Sequence, residues 1–139
     1  MDGRAVTPYE ALGGSDAVRA LVERFYDEME QNEPELAALH RCQVPGKVSR
    51  SSRDNFGLFL IHWLGGPDDY LRQRGHPRLR LRHATVIVNL AMRDAWLRSM
   101  TRAMDALGVS GSTRAYLDTR FAEVANFLRN AEEPSAGQA

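Results

Sequence analysis

The segment GHPRLRLRHATVIV, residues 75–88, carries the side chains with the clearest capacity for chemistry. His76 and His83 lie seven residues apart, and arginines alternate with leucines between them. Arginine binds anionic groups such as carboxylates. The segment is therefore compatible with anion binding, while its period of two followed by β-branched residues predicts a strand over 78–88.

A second chemically capable group consists of polar-tipped side chains predicted near an apolar interior, namely Tyr26, Trp96 and His40. One such side chain usually forms a hydrogen bond within the protein. Three are harder to satisfy, because the facing helix offers Phe56, Phe59 and, as its polar group, only Ser52. This interior therefore calls for a polar partner that is not part of the protein.

Other chemistries are disfavoured by the residue spacing. His40 and Cys42 are near neighbours, but no third group is evident that would orient them as a nucleophilic pair. The four histidines include no i,i+4 pair and the chain has one cysteine, so the usual zinc-ligand patterns are absent. A lone cysteine, without a recognisable signal peptide or a bilayer-length apolar run, predicts a protein of the reducing cytoplasm.

The charge balance argues against a nucleic acid or an anionic membrane as partner. Basic and acidic residues both number 18, so the formal net charge is zero. DNA binding stays open as an alternative because residues 106–121 resemble the corner of a helix-turn-helix. The second helix of that corner carries Arg114 and Arg120, which Asp118 and Glu123 balance. A helical DNA-binding or interaction module is therefore the second candidate function.

The helical spacing of apolar residues predicts an all-α protein with six helices of unequal length. They are expected over 7–12, 15–32, 34–39, 51–64, 89–108 and 110–130. Ser15 is expected to be an N-cap, and 40–52 to be a loop. Residues 1–130 are expected to form one domain, followed by a disordered polar tail, 131–139.

Each long helix is predicted to present one apolar stripe to the core. For the second helix the stripe is Val18, Leu21, Val22, Phe25, Tyr26 and Met29. The fourth helix has an aromatic face made of Phe56, Phe59 and Trp63. The last two helices have stripes at Met92, Trp96, Met100, Ala103 and Leu107, and at Leu117, Phe121, Val124 and Leu128.

Four stretches, in the right order, identify a family resemblance that runs from about residue 9 to residue 130. They are RFYDEM (24–29), FLIHWLGGPDDYL (59–71), GHPRLRLRH (75–83) and RDAWLRSM with the following AMDALGV (93–109). Together they resemble the truncated haemoglobins of group II, whose defining tryptophan corresponds to Trp96. The resemblance implies a two-over-two helical sandwich around haem b, iron protoporphyrin IX.

On the proximal side, the resemblance implies that His83 is the iron ligand. Arg82 and Tyr70 match the positions that contact the haem propionates. The strand predicted over 78–88 should then give way to a short, irregular helix, because haem ligation overrides local β propensity.

On the distal side, where the small ligand binds, the resemblance assigns hydrogen-bond donors to Tyr26, Trp96 and His40. Ser52 matches the position of the distal histidine in other globins and is short for that role. The side chains expected to pack around the porphyrin are Phe25, Phe56, Phe59 and Val88. Two features depart from the family: residues 84–88 stand in place of a Pro-Phe-rich segment, and the distal loop 41–52 is irregular. Phe56 is also bulky for its position.

The resemblance implies binding of dioxygen, carbon monoxide and nitric oxide. Several donors around the ligand favour storage or redox chemistry over bulk transport, because they slow ligand release. Nitric oxide dioxygenase or peroxidase-like activity would require an electron donor that the sequence does not identify. The protein is expected to be a bacterial, cytoplasmic monomer or homodimer.

Overall fold

A computed structural model of the chain describes residues 6–40, 42, 44–75 and 89–128. Within these residues the chain forms seven helices and, in place of strands, one isolated bridge between Val44 and Lys47. The helices are α1 (Pro8–Leu12), α2 (Ser15–Asn32), α3 (Pro34–Ala37), α4 (Arg50–Trp63), α5 (Asp69–Arg74), α6 (Leu90–Ala106) and α7 (Gly111–Leu128). The predicted all-α class is confirmed. None of the described helices combines the length and apolar character needed to cross a bilayer.

Three helices begin at side-chain caps that satisfy free backbone N–H groups. Thr7 accepts a hydrogen bond from the backbone N–H of Glu10, Ser49 from that of Ser52, and Asn89 from that of Met92. Because Ser49 is the cap, α4 begins at Arg50, one residue earlier than predicted.

The prediction of Ser15 as an N-cap is wrong. Gly14 occupies that position without a side-chain hydrogen bond, and Ser15 is the first residue of α2. The Ser15 hydroxyl is instead 2.8 Å from the Tyr9 hydroxyl, which ties α1 to α2.

Two layers of helices enclose the core. Helix α2 packs against α4 in one layer and crosses α6, which in turn packs against α7. The predicted stripe of α2 is buried at every position. On α6, Met100 and Ala103 are buried as predicted, whereas Leu107 is 45% exposed because it lies beyond the end of the helix. On α7, Leu117, Phe121 and Ala125 are buried among the side chains that the structure describes, whereas Val124 is only half-buried.

The Gly65–Gly66 turn after α4 lets α1 approach closely. The Tyr9 backbone N–H donates to the carbonyl oxygen of Leu64 at 3.0 Å. A Cβ on Gly66 would lie 2.6 Å from Cδ1 of Tyr9 and 2.9 Å from the carbonyl oxygen of Ile61. A larger residue at this position would therefore force the backbone or the Tyr9 ring to shift. Gly65 adopts φ of +103°, in the left-handed region that favours glycine.

Glu33, at the end of α2, fixes α2 to α6. Its carboxylate accepts hydrogen bonds from Arg98 at 2.7 and 2.9 Å and from Arg102 at 2.7 Å. These hydrogen bonds lower the pKa of Glu33 to about 2, and the hydrogen bonding by Arg98 has the largest effect.

Candidate functional site

The proximal part of the predicted site lies outside the described residues. This applies to His83, Arg82 and Val88, to the competing strand and irregular-helix predictions for 78–88, and to the tail 131–139. Their assigned roles remain predictions.

The distal residues come together around Tyr26, which is 5% exposed. Its ring centroid lies 4.9 Å from that of Phe25, 5.5 Å from that of His40 and 5.9 Å from that of Phe56. Phe25 and Tyr26 come from α2, Phe56 from α4, and His40 from the turn after α3. Helical spacing on two helices and one turn thus brings four of the predicted side chains into contact.

Trp96 joins the same group of rings from α6. Its ring lies 5.2 Å from Phe25, 6.3 Å from Phe56 and 5.7 Å from Phe121. Phe121 was predicted only as a core residue, yet it connects the site to Trp63, on which it stacks at 5.5 Å. Its inward position on the last helix was the available signal.

The rings continue along α4 to α5. Phe59 lies 6.4 Å from Phe56 and 5.5 Å from Tyr70, which is 6% exposed. We call the connected rings the distal aromatic cluster: Phe25, Tyr26, His40, Phe56, Phe59, Tyr70 and Trp96.

Ser52 lies in the first turn of α4, where its hydroxyl accepts a hydrogen bond from the Ser49 hydroxyl at 3.1 Å. This bond belongs to the cap of the helix. Its predicted contact with the cofactor remains a prediction.

Two donors in the cluster have no hydrogen-bond partner among the described residues, and we call them the unused donors. Neither the Tyr26 hydroxyl nor the Trp96 indole N–H forms a hydrogen bond to another described residue. Burial raises the pKa of Tyr26, so its hydroxyl keeps its proton at neutral pH and acts as a donor.

His40 is oriented by the backbone. Its Nδ1 lies 3.0 Å from the carbonyl oxygen of Leu36, and because a carbonyl only accepts, Nδ1 carries the proton. In the neutral ring Nε2 is then an acceptor, and His40 can donate through Nε2 only when it is protonated.

Sequence reasoning missed Arg53, the buried arginine of α4. Its guanidinium carbon lies 5.5 Å from the centroid of the Tyr26 ring, and its nitrogens contact three carboxylates of α2. The acidic residues of α2 look like a solvated face in the sequence, because their partner lies more than twenty residues away.

The donor set and the walls of the site fit a haem. Flat aromatic rings suit an apolar macrocycle, and two unused donors suit a small polar ligand at its centre. Tyr26 and Trp96 would face that ligand, while Phe56 and Phe59 would contact the macrocycle.

The helix-turn-helix alternative loses its phosphate-binding groups in the fold. Arg114 pairs with Asp105 at 2.8 Å and with Asp118 at 3.0 Å. Arg120 pairs with Glu123 at 2.6 Å and covers the ring of Trp63. The two basic side chains of the corner are thus occupied by carboxylates, which does not support DNA binding.

Comparison with known proteins places the chain in one family. The model of the bacterial-like globins matches residues 7–130. The group 2 truncated haemoglobin YjbI of Bacillus subtilis is 34% identical over 126 residues, which cover 91% of this chain and 90% of that protein.

Solved structures agree with this assignment. The group II 2-on-2 haemoglobin of Agrobacterium tumefaciens superposes with a TM-score of 0.83 at 34% identity, covering 96% of this chain and 100% of that one. The truncated oxygen-avid haemoglobin of Bacillus subtilis gives a TM-score of 0.80 at 32% identity, covering 90% and 100%. The chain therefore belongs to the bacterial-like globin family, among the group II truncated haemoglobins.

Proposed function

We propose that this globin binds dioxygen, and also carbon monoxide and nitric oxide, at a haem b whose iron is held by His83. The observation that carries the proposal is the pair of unused donors, Tyr26 and Trp96, in one aromatic cluster. When bound, the haem supplies an iron that accepts the diatomic ligand. The similar truncated haemoglobin from Bacillus subtilis is oxygen-avid, which supports dioxygen as the ligand here.

The chain's own residues divide the work of holding haem and ligand. Tyr26 and Trp96 donate hydrogen bonds to the ligand, and His40 adds a donor when protonated. Residues that pack around the porphyrin are Phe25, Ser52, Phe56, Phe59 and Val88. Arg82 and Tyr70 bind the propionates. The contact between Tyr70 and Phe59 puts Tyr70 at one end of the distal aromatic cluster, which suits this role.

Slow ligand release makes storage or redox chemistry of the ligand the proposed role. A dioxygen ligand carries partial negative charge, so each aligned donor stabilises it by about 1–2 kcal/mol. Two donors then slow dissociation by roughly 30- to 1,000-fold relative to an apolar pocket. Nitric oxide dioxygenation or peroxidase-like turnover would further require an external electron donor. We place the protein in the bacterial cytoplasm, as a monomer or homodimer.

Oxygen dissociation measured by stopped flow tests this proposal. Trp96→Phe removes the indole N–H and should speed dissociation several-fold. Trp63→Phe is the matched control, because Trp63 stacks on Phe121 but lies outside the donor pair. Equal rates in wild type and Trp96→Phe would remove Trp96 from the proposed site.

A further inference from the structure

Arg53 is a buried arginine for which the globin assignment provides no role. The residue is 9% exposed, although a guanidinium is rarely buried unless it is paired. It lies on α4, three residues before Phe56, on the side of the helix that faces α2.

Three carboxylates of α2 hold the guanidinium. One terminal nitrogen donates to Glu23 at 2.9 Å and to Asp27 at 3.0 Å, and the other donates to Glu30 at 2.9 Å. These acids are spaced at i, i+4 and i+7, so they line the same face of α2 as Tyr26. Arg53 therefore fixes α4 against the face that carries the tyrosine.

The same network reaches the segment that leads into α4. The Val48 N–H donates to Glu30 at 2.6 Å, and Nε of Arg53 donates to the Val48 carbonyl oxygen at 3.4 Å. The guanidinium is thus held from two sides, which fixes its position over Tyr26.

The guanidinium carbon lies 5.5 Å from the centroid of the Tyr26 ring, within the range of a cation–π contact. A positive charge at this distance favours the partial negative charge that the phenol oxygen develops when its hydroxyl donates. Its influence on the pKa of Tyr26 opposes those of burial and Glu23.

We propose that Arg53 is a positioning residue for Tyr26, which holds the ring in place and strengthens its hydroxyl as a donor to the ligand. The inference rests on the proposed function, because it requires Tyr26 to contact that ligand. Arg53 acts through Tyr26 and does not itself touch the ligand.

Arg50 provides a matched control on the same helix. It also pairs with Glu23, and with Asp54 at 3.6 Å, but its side chain is 61% exposed. It has no ring contact with Tyr26. Arg50→Gln removes a cation from the same acidic face without removing the charge over the tyrosine.

The experiment compares Arg53→Gln and Arg50→Gln, each made in the wild type and in Tyr26→Phe. The readouts are the oxygen dissociation rate, the C–O stretching frequency of the carbon monoxide complex, and Tm. Arg53→Gln should speed dissociation roughly three- to tenfold and raise the stretching frequency, because the field at the ligand becomes less positive. Both effects should vanish in the Tyr26→Phe background, and Arg50→Gln should produce neither.

Other outcomes separate the two proposals. Arg53→Gln could lower Tm and leave the oxygen dissociation rate and the C–O stretching frequency unchanged. It could also change both by the same amount in the wild type and in Tyr26→Phe. Either result would mean that Arg53 only stabilises the fold. If Tyr26→Phe alone changes neither the oxygen dissociation rate nor the C–O stretching frequency, Tyr26 does not contact the ligand. The positioning role of Arg53 is then refuted as well. If Arg53→Gln does not fold, Arg53→Lys keeps a charge without the planar fork and should give smaller changes of the same sign; unchanged values in that variant would overturn the inference.

Discussion

Replacing Tyr26 by phenylalanine should affect fold stability and ligand retention differently. The phenylalanine ring preserves the contacts with Phe25, His40 and Phe56, so only the hydroxyl is lost. That hydroxyl forms no hydrogen bond to another described residue. Its removal should therefore leave the free energy of unfolding unchanged or raise it by up to about 1 kcal/mol.

Ligand retention should fall in the same variant. Loss of one donor worth about 1–2 kcal/mol predicts oxygen dissociation faster by roughly 5- to 30-fold. Stopped-flow dissociation gives the rate, and anaerobic thermal unfolding of the ferrous, ligand-free protein gives the stability.

Tyr9→Phe is the matched control, because it removes the same atom from a different environment. The Tyr9 hydroxyl lies 2.8 Å from the Ser15 hydroxyl. Its loss should lower the free energy of unfolding by about 0.5–1.5 kcal/mol without changing ligand release. Should Tyr26→Phe destabilise the fold as Tyr9→Phe does and leave dissociation unchanged, the assignment of its hydroxyl as an unused donor would be refuted.

Three further outcomes follow from the packing and the ion pairs. Gly66→Ala should lower Tm by several degrees, because the new Cβ would lie 2.9 Å from the backbone oxygen of Ile61; an unchanged Tm would contradict that close approach. Gly57→Ala should instead stabilise by about 0.5–1 kcal/mol, since its Cβ would have space inside α4; a loss of stability in urea unfolding would show otherwise. Glu33 has its pKa lowered from 4.5 to about 2, chiefly by Arg98, so its stabilising effect is complete above pH 4.5 and is lost as the pH falls through 2. The Tm of Glu33→Gln should thus lie below that of the wild type at pH 7 and converge with it towards pH 2, whereas a difference that does not depend on pH would contradict this linkage.

That Phe25, Tyr26, Phe56 and Trp96 meet in the interior could be predicted from sequence because these residues lie on regular helices. The 3.6-residue period puts Phe25 and Tyr26 on the buried face of α2, and the family resemblance gave Tyr26, Trp96 and His40 their roles. Six of the seven described helices were predicted for the same reason, and α5 (Asp69–Arg74) was not. The prediction of Ser15 as an N-cap is wrong because its hydroxyl forms a hydrogen bond with the Tyr9 hydroxyl of α1, a contact between two helices.

Contacts between segments distant in the chain were beyond sequence reasoning. Arg53 gave no signal because its burial depends on carboxylates that belong to another helix. The close approach that Gly65 and Gly66 allow to Tyr9 depends on where the N-terminal segment runs. The periodicity of a sequence describes one helix at a time, whereas these two features depend on contacts between two segments of the chain.

The absorption spectrum of the purified protein, as isolated and then reduced under carbon monoxide, is the decisive test of haem binding through His83. We expect a strong Soret band that shifts sharply with carbon monoxide, is lost or altered in His83→Ala and is retained in His76→Ala. A colourless protein that does not take up added haemin, or a His83→Ala spectrum identical to that of the wild type, would contradict haem binding through His83.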